Sequence, residues 1–171
     1  MTNPTAVQLT SASADRQAIT DQIYKYCRAM DRIDHQLGYN VWHEDGTADY
    51  GAMYNGSGRG FIDWVCEQHS AMLGHSHQVS NILIEIDGDR AGSEAYVTAA
   101  LRIRQDGRLV QVTARGRYID RWSRRDGRWG IDHRVYVQDF DELREVAATL
   151  TEGWGRRDRE DPSYRVLPVR P

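Results

Sequence analysis

The stretch RYIDRWSRRDGRWGIDHRVYV, residues 117–137, decides the fold class. Its two arms are rich in tyrosine, isoleucine, valine and tryptophan, which favour a pleated, half-buried strand. The pair Asp126-Gly127 lies between the arms, and Asp-Gly is typical of a two-residue hairpin turn because both residues tolerate a positive φ. The stretch therefore predicts two long antiparallel strands joined by a tight turn.

The segments before this hairpin repeat its pattern. Three β-rich segments, separated by DGDR and QDGR turns, precede or overlap it: HQVSNILIEID (77–87), RAGSEAYVTAALRIRQ (90–105) and RLVQVTARGRYIDRWSRR (108–125). Consecutive strands joined by tight turns form a meander. We therefore expect four long antiparallel strands in the second half of the chain.

The first half of the chain has helical periodicity. Residues 14–36 form the first predicted helix, with apolar side chains at three- and four-residue steps: Ile19, Ile23, Tyr26, Cys27, Met30 and Ile33. A short helix or turn around Trp42, a strand near residues 47–51 and a second helix over residues 61–73 follow. This order predicts an α+β fold, a strongly curved antiparallel sheet wrapped around the long N-terminal helix with a conical pocket between them.

Length and composition predict a single domain and exclude several functions. A chain of 171 residues suits one domain, which we place at residues 14–150, between a flexible arm (1–13) and an extended tail (151–171); residues 141–150 could form a short helix. The net charge of −3 gives no footprint for nucleic acid. No apolar run could span a membrane, and no signal peptide is recognisable, so we expect a cytoplasmic protein.

Two residues on the predicted helix and the first long strand suggest acid–base chemistry. Asp31 lies close to the apolar face of the helix, where a carboxylate needs a partner. His77 opens the strand, and a histidine oriented by a carboxylate is the usual general base. The alternatives are a salt bridge from Asp31 to Arg28 or Arg32, and a histidine hydrogen-bonded within the core. A metal bound by His75 and His77 is a further alternative, although the spacing of the other candidate ligands does not demand one.

Other side chains could complete such a site. Arg134 lies on the last long strand and would stabilise a developing oxyanion if it pointed into a pocket; pointing outward, it would be a solvated residue. Several aromatic residues, including Tyr50, Tyr54 and Trp64, could form the core or bind an aromatic ligand.

The order of these parts resembles the SnoaL-like branch of the nuclear transport factor 2-like superfamily. The resemblance covers roughly residues 14–141, and its most specific parts are AMDR (29–32), H-x-x-x-N (77–81) and GRY-x-D-R with DG-x-W-x-I and a later arginine (116–134). Within that branch the chain is similar to scytalone dehydratase, hexachlorocyclohexane dehydrochlorinase and bile-acid dehydratase. The resemblance implies a cone-shaped α+β fold that assembles as a homodimer or homotrimer.

The resemblance also implies roles for individual residues. Asp31 and His77 match the catalytic dyad of the family, while Tyr50 and Arg134 match residues that assist departure of the leaving group. Tyr26 and Asn81 match substrate-orienting positions, and Tyr54 and Trp64 are our further candidates for substrate binding. The family's members use no metal, flavin or nicotinamide, so no cofactor and no metal are expected.

The resemblance implies a cofactor-independent lyase. Its substrate would be a small hydrophobic aromatic or polycyclic alcohol, such as a lignin-derived diarylpropane, that loses water and in some cases formaldehyde. The alternatives are a steroid or polyketide isomerase or cyclase and a ligand-binding module without catalysis, because a fold alone never proves activity.

Overall fold

The computed structural model describes residues 6–147 and 155–167. Helices and strands alternate in the first half of the chain and long strands fill the second. The elements in chain order are α1 (Ala6–Arg32), α2 (His35–Tyr39), β1 (Trp42–Asp49), β2 (Asn55–Ser57), α3 (Gly58–Ser70), β3 (Gly74–Asp87), β4 (Arg90–Gln105), β5 (Arg108–Arg125), β6 (Arg128–Glu145) and α4 (Ser163–Val166).

The six strands form one open sheet in the order β2-β1-β6-β5-β4-β3. The four long strands are a meander, as predicted, whereas β1 pairs with β6 in parallel. In the two last hairpins both turn residues have positive φ, 50° and 78° at Asp106-Gly107 and 51° and 75° at Asp126-Gly127. These values are those of the turns that match the twist of adjacent strands. The Asp-Gly signal therefore located these two turns correctly.

Helix α1 packs its apolar face against the sheet. Ile19, Ile23 and Met30 are fully buried, and they meet inward-facing residues of the strands such as Val97 and Trp122. Register shifts within the β3–β4 and β5–β6 pairs mark bulges that bend the strands. The predicted α+β cone around the long helix is thereby confirmed.

Several predicted boundaries were wrong. Helix α1 begins at Ala6 and ends at Arg32 rather than spanning residues 14–36, and Trp42 begins β1 instead of lying in a short helix, which α2 forms earlier. Residues 141–145 continue β6, because β5 pairs with them as far as Glu145 and satisfies their backbone groups. Residues 146 and 147 belong to no helix or strand, and the last residues of that predicted helix, 148–150, lie outside the described residues.

The C-terminal segment, residues 155–167, contacts the end of α1 and α2. Arg28 Nη1 donates a hydrogen bond to Ser163 Oγ at 3.0 Å, and Tyr164 donates to Asp34 Oδ2 at 2.7 Å. The segment contains turns and the short helix α4, so this part of the predicted extended tail folds back on the domain.

Within residues 6–147 and 155–167, none of the helices combines the length and the apolar character needed to cross a bilayer.

Candidate active site

Asp31 and His77 form a hydrogen-bonded pair. Asp31 lies in the last turn of α1 and His77 near the start of β3. The Nδ1 of His77 is 2.7 Å from Asp31 Oδ1, and its backbone N–H donates to Asp31 Oδ2 at 3.1 Å. Since the carboxylate is an acceptor, Nδ1 carries the hydrogen and Nε2 keeps a lone pair. No described residue hydrogen-bonds to Nε2, so this atom can accept a proton from a ligand.

The position of β3 at the edge of the sheet explains this pairing. An edge strand has a row of N–H groups that no neighbouring strand accepts. Helix α1 covers this row near His77 and supplies the acceptor. The side chain of His77 is 8% exposed and that of Asp31 is 16% exposed. The ion pairs between Asp31 and Arg28 or Arg32 considered from the sequence are not found among the described residues.

Two more histidines lie beside His77. His75 donates from Nε2 to the backbone oxygen of Met30 at 2.9 Å, next to Asp31 in the chain. His69, from α3, stacks on His75 with ring centroids 4.1 Å apart. Burial lowers the pKa of His69 to about 3 and also lowers the pKa of His75. Both rings are therefore neutral at neutral pH, and His75 fixes the turn of α1 that carries Asp31.

This histidine group does not resemble a metal centre. Across the described parts of the chain, no three histidine, cysteine, aspartate or glutamate side chains are arranged to hold a metal ion.

The Asp31–His77 pair lies in the wall of a cavity of about 480 Å³. The other lining residues are Tyr24, Cys27, Arg28, Arg32, Gln78 and Val79. Four of them lie on α1 on the same face as Asp31, at the three- and four-residue spacing of a helix. From the sequence, Arg28 and Arg32 were interpreted only as possible partners of Asp31 and were missed as part of the wall. The signal was that Arg28 lies three residues before Asp31 and four residues before Arg32.

Tyr26, Tyr50 and Arg134 lie together in the interior rather than on that cavity wall. The hydroxyls of Tyr26 and Tyr50 are 2.8 Å apart. Arg134 is fully buried and binds Asp120 through two hydrogen bonds, each 2.7 Å long. Its guanidinium carbon lies 4.1 Å from the ring centroids of both Tyr26 and Tyr118. Arg134 thus points inward, and its charge is neutralised by Asp120.

Burial dominates the titration of these interior groups. It raises the pKa of Tyr50 to about 12, although the nearby Arg134 acts to lower it. It also raises the pKa of Cys27 to about 12, again against the effect of Arg134. Both groups therefore keep their protons at neutral pH, so Tyr50 is a neutral phenol whose hydroxyl shares a hydrogen bond with that of Tyr26, and either hydroxyl can be the donor.

Asp120 was not recognised as a site residue from the sequence. Alternation along β5 places it on the same inward face as Tyr118 and Trp122, and its cross-strand partner is Arg134. The alternation was a usable signal, because a carboxylate on a buried face needs a partner.

Tyr54, Trp64 and Asn81 lie away from the Asp31–His77 pair. The rings of Tyr54 and Trp64 are 5.8 Å apart, and both pack on Phe61. Asn81 is exposed and has φ 49° in the β3 bulge, a conformation that asparagine tolerates better than most residues. None of the three lines the cavity.

Comparisons with known proteins agree with the fold. A model of the SnoaL-like domain matches residues 11–135. No curated protein sequence matches the chain.

Solved structures of similar fold come from several bacteria. A scytalone dehydratase candidate from Novosphingobium aromaticivorans is 19% identical with a TM-score of 0.70, and the match covers 86% of this chain and 98% of that one. The hexachlorocyclohexane dehydrochlorinase LinA-type3 from Novosphingobium barchaimii is 17% identical with a TM-score of 0.68, covering 83% and 97%. Kfla4162 from Kribbella flavida is 19% identical with a TM-score of 0.69, covering 77% and 95%.

Proposed function

Because the chain belongs to the SnoaL-like domain family, we propose that it is a cofactor-independent lyase that uses Asp31 and His77 for an elimination. The observation that carries this proposal is the 2.7 Å hydrogen bond between Asp31 Oδ1 and His77 Nδ1 beside a cavity. That bond leaves Nε2 of His77 as the proton acceptor. The likeness to a dehydrochlorinase and to a scytalone dehydratase candidate supports an elimination over other reactions of a buried base.

The proposed reaction begins when Nε2 takes a proton from a carbon of the substrate. The electrons of that C–H bond form a C=C bond, and the bond from the adjacent carbon to its hydroxyl breaks. Asp31 stabilises the resulting imidazolium through Nδ1–H. The imidazolium returns its proton to the departing hydroxide, so water and an alkene leave and the base is regenerated.

We assign Tyr26, Tyr50 and Arg134 to the support of the cavity rather than to contact with the substrate. Cys27 follows Tyr26 in the chain and lines the cavity, so the interior cluster lies behind the wall that Cys27 helps to form. The two tyrosine hydroxyls and Arg134 would keep this wall in place. This assignment replaces direct assistance to the leaving group, which the sequence resemblance implied for Tyr50 and Arg134.

The proposed substrates are small hydrophobic aromatic or polycyclic alcohols, of which lignin-derived diarylpropanes are an example. With a phenolic substrate, loss of the phenol proton and the benzylic hydroxide as water gives a quinone methide. When the hydroxyl of a neighbouring hydroxymethyl group then loses its proton, its C–C bond breaks and formaldehyde leaves. The electrons of that bond form a C=C bond, and the phenol is restored by taking up a proton. The apolar side chains of Tyr24, Cys27 and Val79 in the cavity wall support an apolar substrate body.

The test is a screen of aromatic alcohols with the purified protein, read by mass spectrometry for loss of water or formaldehyde. We expect turnover by the wild type and its loss in His77→Ala. His35→Ala is the matched control, because His35 is an exposed histidine paired with Asp63 on the surface. Conversion to a product of unchanged mass would indicate an isomerase instead. Binding without any conversion would contradict the lyase proposal and favour a ligand-binding module.

A further inference from the structure

Arg28 has an unsatisfied positive charge at the cavity that contains Asp31 and His77. Its Nη1 donates to Ser163 Oγ at 3.0 Å, and its guanidinium carbon lies 4.6 Å from the ring centroid of Tyr164. Its Nη2 is buried and has no hydrogen-bond partner in the described parts of the chain. Among the described residues, no carboxylate lies within ion-pair distance of Arg28.

The neighbouring charges do not neutralise Arg28. The carboxylate of Asp31 is occupied by His77 through both oxygens. Asp161 is 3.4 Å from Arg32 Nε, and Asp34 accepts hydrogen bonds from Arg159 and Tyr164. Each nearby carboxylate is therefore already in use, whereas Arg28 has only a hydroxyl and an aromatic face.

A partly buried guanidinium with an unpaired N–H is costly unless an anion binds it. The contact with Tyr164 stabilises the face of the guanidinium but cannot accept the hydrogen bond of Nη2. Since Arg28 and Asp31 are three residues apart on one helix face, an anion at Arg28 would lie beside the reacting centre. A ligand that suits this part of the cavity is therefore an otherwise apolar molecule that carries an oxygen anion.

We propose that the cavity binds substrates that carry a carboxylate, which the guanidinium of Arg28 holds. This inference rests on the proposed function, since it specifies the substrate class of the same site. The apolar body of the substrate then lies against Tyr24 and Val79, and its reactive carbon lies at Nε2 of His77. Arg28 thereby determines specificity, and the C-terminal segment orients it through Ser163 and Tyr164.

The test compares three unreactive probes that share one ring and chain length: cinnamate, cinnamamide and cinnamyl alcohol. Their dissociation constants are measured on the full chain by NMR, with the imidazole signals of His77 reporting binding at the cavity. A charge-assisted hydrogen bond predicts that cinnamate binds about 10-fold more tightly than the two neutral probes. Added salt should weaken cinnamate binding and leave the neutral probes unchanged.

The ratio of the cinnamate affinity to the cinnamyl alcohol affinity shows whether Arg28 binds the carboxylate. Arg28→Met should reduce this ratio to about one, because a loosened C-terminal segment would weaken both probes alike while loss of the anion site weakens only cinnamate. Arg108→Met is the matched control and should keep the ratio, since Arg108 pairs with Glu145 on an exposed hairpin. If Arg28→Met does not fold, the salt dependence of binding to the wild type still tests the proposal. Cinnamate binding that salt does not weaken would contradict it.

Two outcomes would overturn the proposal. One is a wild-type ratio near one, or no cinnamate binding detected at His77 at millimolar concentration. The other is an unchanged ratio in Arg28→Met. Because the probes are not turned over, the result is independent of the lyase assay: His77→Ala should abolish turnover and preserve the ratio, which in that variant is read from the backbone amide signals of Gln78 and Val79 in the cavity wall.

Discussion

Two carboxylates of this protein each bind a basic side chain at 2.7 Å, yet the two pairs differ in every other respect. Asp120 and Arg134 are both completely buried, and the arginine cannot lose its proton under ordinary conditions. Asp31 and His77 are slightly exposed beside a cavity, and the imidazole has a nitrogen to which no described residue hydrogen-bonds. Short distance alone therefore does not identify a catalytic pair. The proposal for Asp31 and His77 rests instead on a titratable partner that has a free atom at a cavity.

The largest expected effect is on turnover, and it concerns the Asp31–His77 pair. Asp31→Asn should reduce turnover by about a hundredfold to ten-thousandfold, because the amide cannot stabilise the imidazolium and can favour the wrong tautomer. Steady-state kinetics with a substrate found in the screen would measure this loss. Urea unfolding is the control and should show a similar midpoint for the variant and the wild type. Undiminished turnover in a folded Asp31→Asn protein would remove Asp31 from the proposed mechanism.

The second expected effect is on stability, and it concerns the Asp120–Arg134 pair. Asp120→Asn leaves the charge of Arg134 buried without a counterion and should lower the free energy of unfolding by about 3–5 kcal/mol. Asp45→Asn is the surface control: Asp45 pairs with the exposed Arg125, and solvent screens such pairs so that they contribute little to stability. Equal stabilities of the two variants in urea unfolding would contradict the structural role of the Asp120–Arg134 pair.

The third effect concerns the neutral histidines that pack beside the Asp31–His77 pair. Because burial lowers the pKa of His69 to about 3, the unfolded chain binds a proton at His69 near pH 6 and the folded chain does not. Stability should therefore fall as the pH is lowered from about 6.5 towards 3, with a slope of up to about 1.4 kcal/mol per pH unit for this group.

His69→Phe should flatten that slope. Urea unfolding between pH 6.5 and 5 would measure it above the range in which ordinary carboxylates titrate. His35→Phe, at an exposed histidine, is the comparison and should retain the wild-type slope. The same slope in wild type and His69→Phe would show that His69 is not held neutral.

The smallest effect tests a residue that the resemblance placed at the site. Asn81 is exposed with φ 49° in the bulge of β3, so Asn81→Gly should change the free energy of unfolding by less than about 1 kcal/mol. Turnover should also stay close to that of the wild type. A large loss of activity with unchanged stability would show that Asn81 orients the substrate after all.

The sequence predicted those features that depend on local chemistry. Asp-Gly pairs located the hairpins because few other residues accept positive φ, and helical spacing placed Asp31 near the buried face of α1. The resemblance then paired Asp31 with His77. In contrast, the polar residues before Ala14 gave no apolar periodicity, so the start of α1 was missed.

Features that depend on distant parts of the chain could not be predicted in the same way. The pairing of Asp120 with Arg134 follows from the register of two strands, and the unsatisfied Nη2 of Arg28 follows from how the C-terminal segment folds back. Tyr54 and Trp64 carried no signal that distinguished a ligand-binding aromatic residue from a core residue. The periodicity of a short stretch of sequence predicts neither the register between two strands nor the place where a terminal segment packs.

The parallel pairing of β1 with β6 has a consequence for synthesis of the protein. Trp42, which begins β1, is paired with Ile131, whereas each long hairpin joins neighbouring stretches of the chain. Contacts between distant stretches form late because closing a long loop is entropically unfavourable. Until β6 has been synthesised, the three-residue strand β2 is the only strand of the described sheet with which β1 can pair. The wall that carries Tyr50 is therefore completed last, and a chain interrupted before β6 leaves that side of the interior open to water.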